Sequence, residues 1–146
     1  MVFADGENML NLQQECGMIC SQATSYFMPQ FASAIELLAP GETALVIFTV
    51  GHHLTDNHDG TGSTGWWVIN PHRKVNRIII YRRASDDLAD NDLFIGRHDG
   101  VEGPREDGRY LVRLLDFKLA GHTASNWRKF ADTYSKSLRY VSRPMA

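Results

Sequence analysis

The sequence predicts an α+β fold: a strongly curved antiparallel sheet or small β-barrel of about five strands, with two N-terminal helices and one C-terminal helix. Three observations predict it. Residues 7–38 place apolar side chains at helical spacing, residues 43–120 hold β-branched apolar runs separated by short polar turns, and residues 125–138 return to helical spacing. Strands that cluster without intervening helices argue against a parallel α/β sheet. A chain of 146 residues then reads as one domain with a helical part over 7–38, a β part over 43–120 and a closing helix over 125–138.

Each element has its own warrant. Over residues 7–28, Leu12, Cys16, Ile19, Ala23 and Phe27 share a stripe, and Gly17 weakens the helix without breaking it. Pro29 suits the first turn of a second helix to about residue 38, which buries Phe31, Ile35 and Leu38 and ends at Pro40-Gly41. Thr43 to Val50 is a β-branched run of central-strand length. Gly51 to Gly65 reads as a long polar loop, and Trp66 to Asn70, Val75 to Arg83, Asp92 to Arg97 and Arg109 to Leu115 as strands. The last of these can continue to Leu119, and Gly100 to Gly108 forms a second loop. Ser125 can cap the closing helix, which buries Trp127, Phe130, Ala131 and Tyr134.

Composition excludes several classes. At 43% hydrophobic and 22% charged residues the chain is globular. No apolar run reaches the roughly 18 residues of a membrane span, and the acidic Met1 to Glu7 stretch is unlike a basic leader. Cys16 and Cys20 lie one helical turn apart, a poor geometry for a disulfide, and read as small buried hydrophobes in a reducing, cytoplasmic compartment.

The net charge of −2 hides a segregation. Residues 1–70 carry seven acids and no Lys or Arg, a formal −7, whereas residues 71–146 carry all fifteen bases against ten acids, a formal +5. Such a chain either offers its basic half to a polyanion or pairs its halves with each other, within the fold or across a homodimer.

Three constellations carry candidate chemistry. His52, His53, Asp56, His58 and Asp59 bring imidazole and carboxylate together, the groups a divalent metal or a general base requires. A metal reading uses His52, His53, Asp56 and His58; a hydrolytic one uses His53, His58 and Asp59. The spacing matches no established ligand signature, and a solvated loop is the simpler reading. Gly60 to Gly65 lacks the Lys and the following helix of a phosphate-binding loop, which argues against nucleotide hydrolysis. The third constellation is cationic and aromatic: Arg73, Lys74 and Arg77 lead into Tyr81, Arg82 and Arg83, with Arg109 and Arg113 on the next long strand. Trp66 and Trp67 add stacking surfaces, and Trp127, Tyr110 and Tyr140 are further aromatics. Rings interleaved with arginines suit stacked bases and clamped phosphates.

The order Trp66-Trp-Val-Ile-Asn-Pro71, Arg77-Ile-Ile-Ile-Tyr-Arg82, Leu93-Phe-Ile-Gly96 and Arg109-Tyr-Leu-Val-Arg113 resembles the strand sequence of PUA-like domains of the EVE and ASCH branches over about residues 64–120. Val75-Asn76 stands where that group usually has Gly-Asp. The resemblance implies a pseudo-barrel that reads RNA or a modified base without catalysis. Trp66, Trp67 and Tyr81 would then form the pocket, with the arginines of 73–83 on the backbone.

The functional expectation is a non-enzymatic, cofactor-free module that binds RNA or DNA through a single-stranded or flipped base, with no membrane partner. Its rivals are a small nuclease or metal-dependent hydrolase built on the histidine loop, and an interaction domain whose acidic N-terminal part engages a basic partner or a second copy.

Overall fold

The computed structural model describes residues 28–85, 90–133 and 136–145. It corrects the expected fold class. Over the described residues the architecture is a seven-stranded, mixed, open sheet with one 3-10 turn and one short helix, neither a closed barrel nor an α+β arrangement. The strands are β1 (Thr43–Thr49), β2 (Leu54–Asp56), β3 (Gly62–Trp67), β4 (Arg77–Arg82), β5 (Asn91–Glu102), β6 (Tyr110–Thr123) and β7 (Leu138–Ser142), in the spatial order β2-β3-β6-β5-β4-β1-β7. All neighbours are antiparallel except β1 and β4, which run parallel with Ala44 opposite Arg77 and Thr49 opposite Arg82.

That central pair explains why both strands are apolar without alternation: strands covered on both faces need buried side chains at every position. Ala44, Val46, Ile79 and Tyr81 enter one core, with Leu93, Ala34, Leu38, Phe130 and Ala131. Leu45, Ile47, Ile78 and Ile80 enter the other, with Val112, Leu114 and Phe117. The first core is covered by the 3-10 turn Ala34–Leu37 and the helix α1 (Trp127–Ala131). No helix among the described residues covers the second. The sheet curls, so that Trp67 and Ile69 beyond one end and Leu138 and Tyr140 at the other pack against the same cluster.

Three further expectations change. The helix expected over 7–28 lies outside the described residues, apart from Met28, as do Cys16 and Cys20. The helix expected from Pro29 to residue 38 is replaced by an extended stretch followed by the 3-10 turn. The His122 N–H donates to the Pro29 carbonyl and the Phe31 N–H to the His122 carbonyl, both at 2.9 Å, and this cross-chain pairing takes the backbone groups that a helix would use within itself. The closing helix expected to reach residue 138 stops after Ala131. Asp132 adopts a left-handed conformation (φ 55°) with its N–H on the Arg128 carbonyl, an αL termination, and the chain returns as β7 against β1.

The polar stretch 51–65 is largely a hairpin of β2 with β3, not a loop. β3 therefore begins at Gly62 and stops at Trp67, ahead of the expected Trp66 to Asn70 strand. β5 runs on to Glu102, into the start of the Gly100 to Gly108 loop, and β6 runs beyond Leu119 to Thr123; residues 103–109 remain the turn of this long, bulged hairpin.

Candidate functional site

The curl of the sheet leaves a seam. On one side is the chain leaving β3, Trp67 to Asn70; on the other are Lys136, Ser137, Leu138 and Tyr140. Among the described residues no strand pairing joins the two sides. The gap is a cavity of about 630 Å³, also lined by Arg73 and Arg109, within the roughly 300–1,000 Å³ of small-ligand sites.

Local structure sets each wall. The Trp67 indole N–H donates to Thr64 Oγ1 at 3.0 Å, and the Thr64 hydroxyl donates to the His53 carbonyl at 2.7 Å. The His53 ring lies 5.3 Å from that of Trp67, so this indole is fixed. Asn70 folds the chain after β3: its side chain accepts the His72 N–H and its carbonyl accepts the Arg73 N–H, an Asx-type turn. The turn delivers the Arg73 guanidinium 3.7 Å above the Tyr140 ring centre. On the Lys136 side, the carbonyl accepts the Trp127 indole N–H at 2.7 Å, which ties the incoming loop to α1.

The groove thus holds three cations, Arg73, Arg109 and Lys136, two aromatic walls, Trp67 and Tyr140, and no carboxylate among its described lining residues. Asp107 approaches from outside, its Oδ2 3.7 Å from Arg109 Nε. Trp66, pointing away from Trp67, lies under the Arg105 guanidinium at 4.6 Å, and its carbonyl accepts from Arg109 at 3.4 Å.

The other sequence-derived candidates are placed elsewhere. Tyr81, expected in the pocket, is 2% exposed and donates its hydroxyl to the Ser125 carbonyl at 2.8 Å; its ring packs with Phe48, Trp127 and Phe130. Arg77 pairs with Glu42, Arg82 with Asp92, and Arg113 with Glu102 and the carbonyls of Asp99 and Val101. Lys74 and Arg83 are exposed and outside the groove. Glu42 is the acid of residues 28–70 that bridges to an arginine; the remaining described arginine bridges use acids of the basic half.

The histidine segment does not converge. His53 Nδ1 is 3.0 Å from the Gly65 carbonyl, while His58 lies 3.8 Å from Asp56. Asp59 accepts from both the backbone and the hydroxyl of Thr61, which hold its carboxyl below the usual range. Among the described residues no group of three or more His, Cys, Asp or Glu side chains is placed to hold a metal ion.

Lys136, Ser137 and Leu138 are groove residues that the sequence pattern does not mark, and Tyr140 stands there only as a further aromatic. The alternation in Leu138-Arg-Tyr-Val-Ser142 is the signal that would have marked a strand there.

No family model, no curated protein and no solved structure matches this chain. The PUA-like resemblance is accordingly neither supported nor opposed by comparison. No helix of the described residues is long and apolar enough to cross a membrane.

Proposed function

We propose that the seam groove binds single-stranded nucleic acid, with a base against the Tyr140 and Trp67 rings and phosphates on Arg73, Arg109 and Lys136. The observation that carries this reading is the meeting of three cations and two rings in one cavity with no carboxylate among its described lining residues. Aromatic faces reward any exposed base by stacking, and backbone charge supplies the rest of the affinity. Duplexes keep their bases stacked inside and gain nothing from the rings.

The test is anisotropy of labelled single-stranded RNA and DNA 12-mers, and of a matched duplex, at 50 and 200 mM salt. Three phosphate contacts give a slope of log affinity on log salt of about −2 for a single strand, at roughly 0.7 per contact. Replacing both arginines (Arg73→Ala, Arg109→Ala) should lower that slope by about 1.4. Absence of single-strand binding at 50 mM salt, or equal affinity for the duplex, refutes the proposal.

A further inference from the structure

Along one wall of the groove, the outward backbone edge of β7 has no partner among the described residues. The Phe48 N–H donates to the Ser137 carbonyl, Arg143 donates to the Glu42 carbonyl, and Gly41 donates to the Arg143 carbonyl. These bonds place the polar backbone groups of Ser137 and Arg143 toward the β1 side. In an antiparallel ladder, successive residues turn their N–H and C=O to opposite neighbours. Arg139 and Val141 therefore face β1, and Leu138, Tyr140 and Ser142 face away from it. β7 is a terminal strand, and no described residue pairs with that outward edge. Leu138 and Tyr140 line the groove, whereas Ser142 lines a separate hollow beside α1.

We infer that this outward edge of β7 is the element that reads the base. The inference rests on the proposed binding of a single strand and adds where discrimination arises. An extended residue presents its N–H and C=O side by side, a donor next to an acceptor. The Watson–Crick edge of every base offers groups of this kind, and it is free only in an unpaired strand. The Tyr140 ring stacks a base, and the backbone of Leu138 and Tyr140 at the same wall meets that base's edge. Arg73, Arg109 and Lys136 attract the strand without regard to sequence. The fixed direction of β7 sets the order of donor and acceptor, so bases are bound unequally.

The experiment uses the full chain with A, C and U RNA 12-mers and three amide-to-ester variants, made by incorporating the α-hydroxy analogue of Leu138, Tyr140 or Ser142. Each ester deletes one N–H that has no partner among the described residues and leaves the side chain intact. The parent should prefer one homopolymer. The Leu138 or the Tyr140 ester should reduce that preference about three- to ten-fold, the range of one ordinary hydrogen bond, with the salt slope unchanged. The Ser142 ester should keep the parent's preference. A parent that binds all three equally, or groove esters that keep the full preference, overturns the base-reading inference while the groove's binding role stands. Failure of the parent to bind any of the three removes both, and so does selective binding of an oligo-glutamate peptide instead.

Discussion

Tyr81 shows how one side chain belongs to two levels of structure. Its ring sits among Phe48, Trp127 and Phe130, and its hydroxyl satisfies a carbonyl in the chain leading into α1. Burial pushes the phenol pKa up, opposed by the nearby Arg83 charge. Tyr81→Phe should cost about 1 kcal/mol, the net value of one hydrogen bond, read as a lower urea midpoint at unchanged m-value. His98 is the complementary case. Burial lowers its pKa, Arg113 adds to the effect and Asp99 opposes it; its Nδ1 accepts the Gly100 N–H at 3.2 Å, which requires that nitrogen unprotonated. A lowered native pKa means that the unfolded chain binds the proton first. The stability His98 contributes is thus present above its unfolded value near 6.5 and is lost as pH falls through the lower native value. Denaturation of the parent at pH 7.5 and 5.5 should show a larger loss than the same pair of measurements on His98→Gln. Equal losses would remove this assignment.

Elements depend on close approaches that side chains forbid. The β2–β3 hairpin brings Gly62 under the Thr55 carbonyl, where an added Cβ would lie 2.6 Å from the oxygen and 3.1 Å from the Phe117 ring. Backbone cannot yield cheaply there, so Gly62→Ala should destabilise by about 1–3 kcal/mol, whereas Gly60→Ala meets nothing within 4 Å and loses only from its positive φ of 89°. Thermal melts of the two variants check the order. The same hairpin shows why the polar stretch 51–65 escaped a strand assignment. Its strands are short, Gly-rich and partly exposed, so apolar alternation is weak, and its register is held by contact with β6 and Phe117. β7 escaped for a related reason: among the described residues its five residues pair with a strand about a hundred positions earlier and with no other.

Across the molecule, burial is graded from the centre of the sheet to its edges. β1 buries five of its seven residues and β4 four of its six, whereas β2 exposes two of its three residues and β7 buries none fully. Local opening follows burial and shared hydrogen bonds. Native-state hydrogen exchange should therefore be slowest in β1, β4 and the Leu93 region of β5, and fastest in β2 and β7. Protection of β7 equal to that of β1 would contradict an open seam. Added single-stranded RNA should slow exchange at Leu138 and Tyr140 before it affects β2.

The central apolar strands, the cationic half and the aromatic residues were legible from the chain, because burial on both faces demands uninterrupted hydrophobic runs and charge is counted directly. Arg73, Arg109 and Trp67 were among the residues singled out, yet nothing in their spacing separates them from Arg77, Arg82 and Arg113. That separation is tertiary: Glu42, Asp92 and Glu102 are carried to the latter three by strand register, while the curl of the sheet delivers the former to the seam beside Lys136 and Tyr140. Local pattern determines which segments seek burial. Which strand edge has no partner among the described residues, and which arginines are drawn into salt bridges away from the seam, depends on pairings far apart in sequence that only the folded sheet decides.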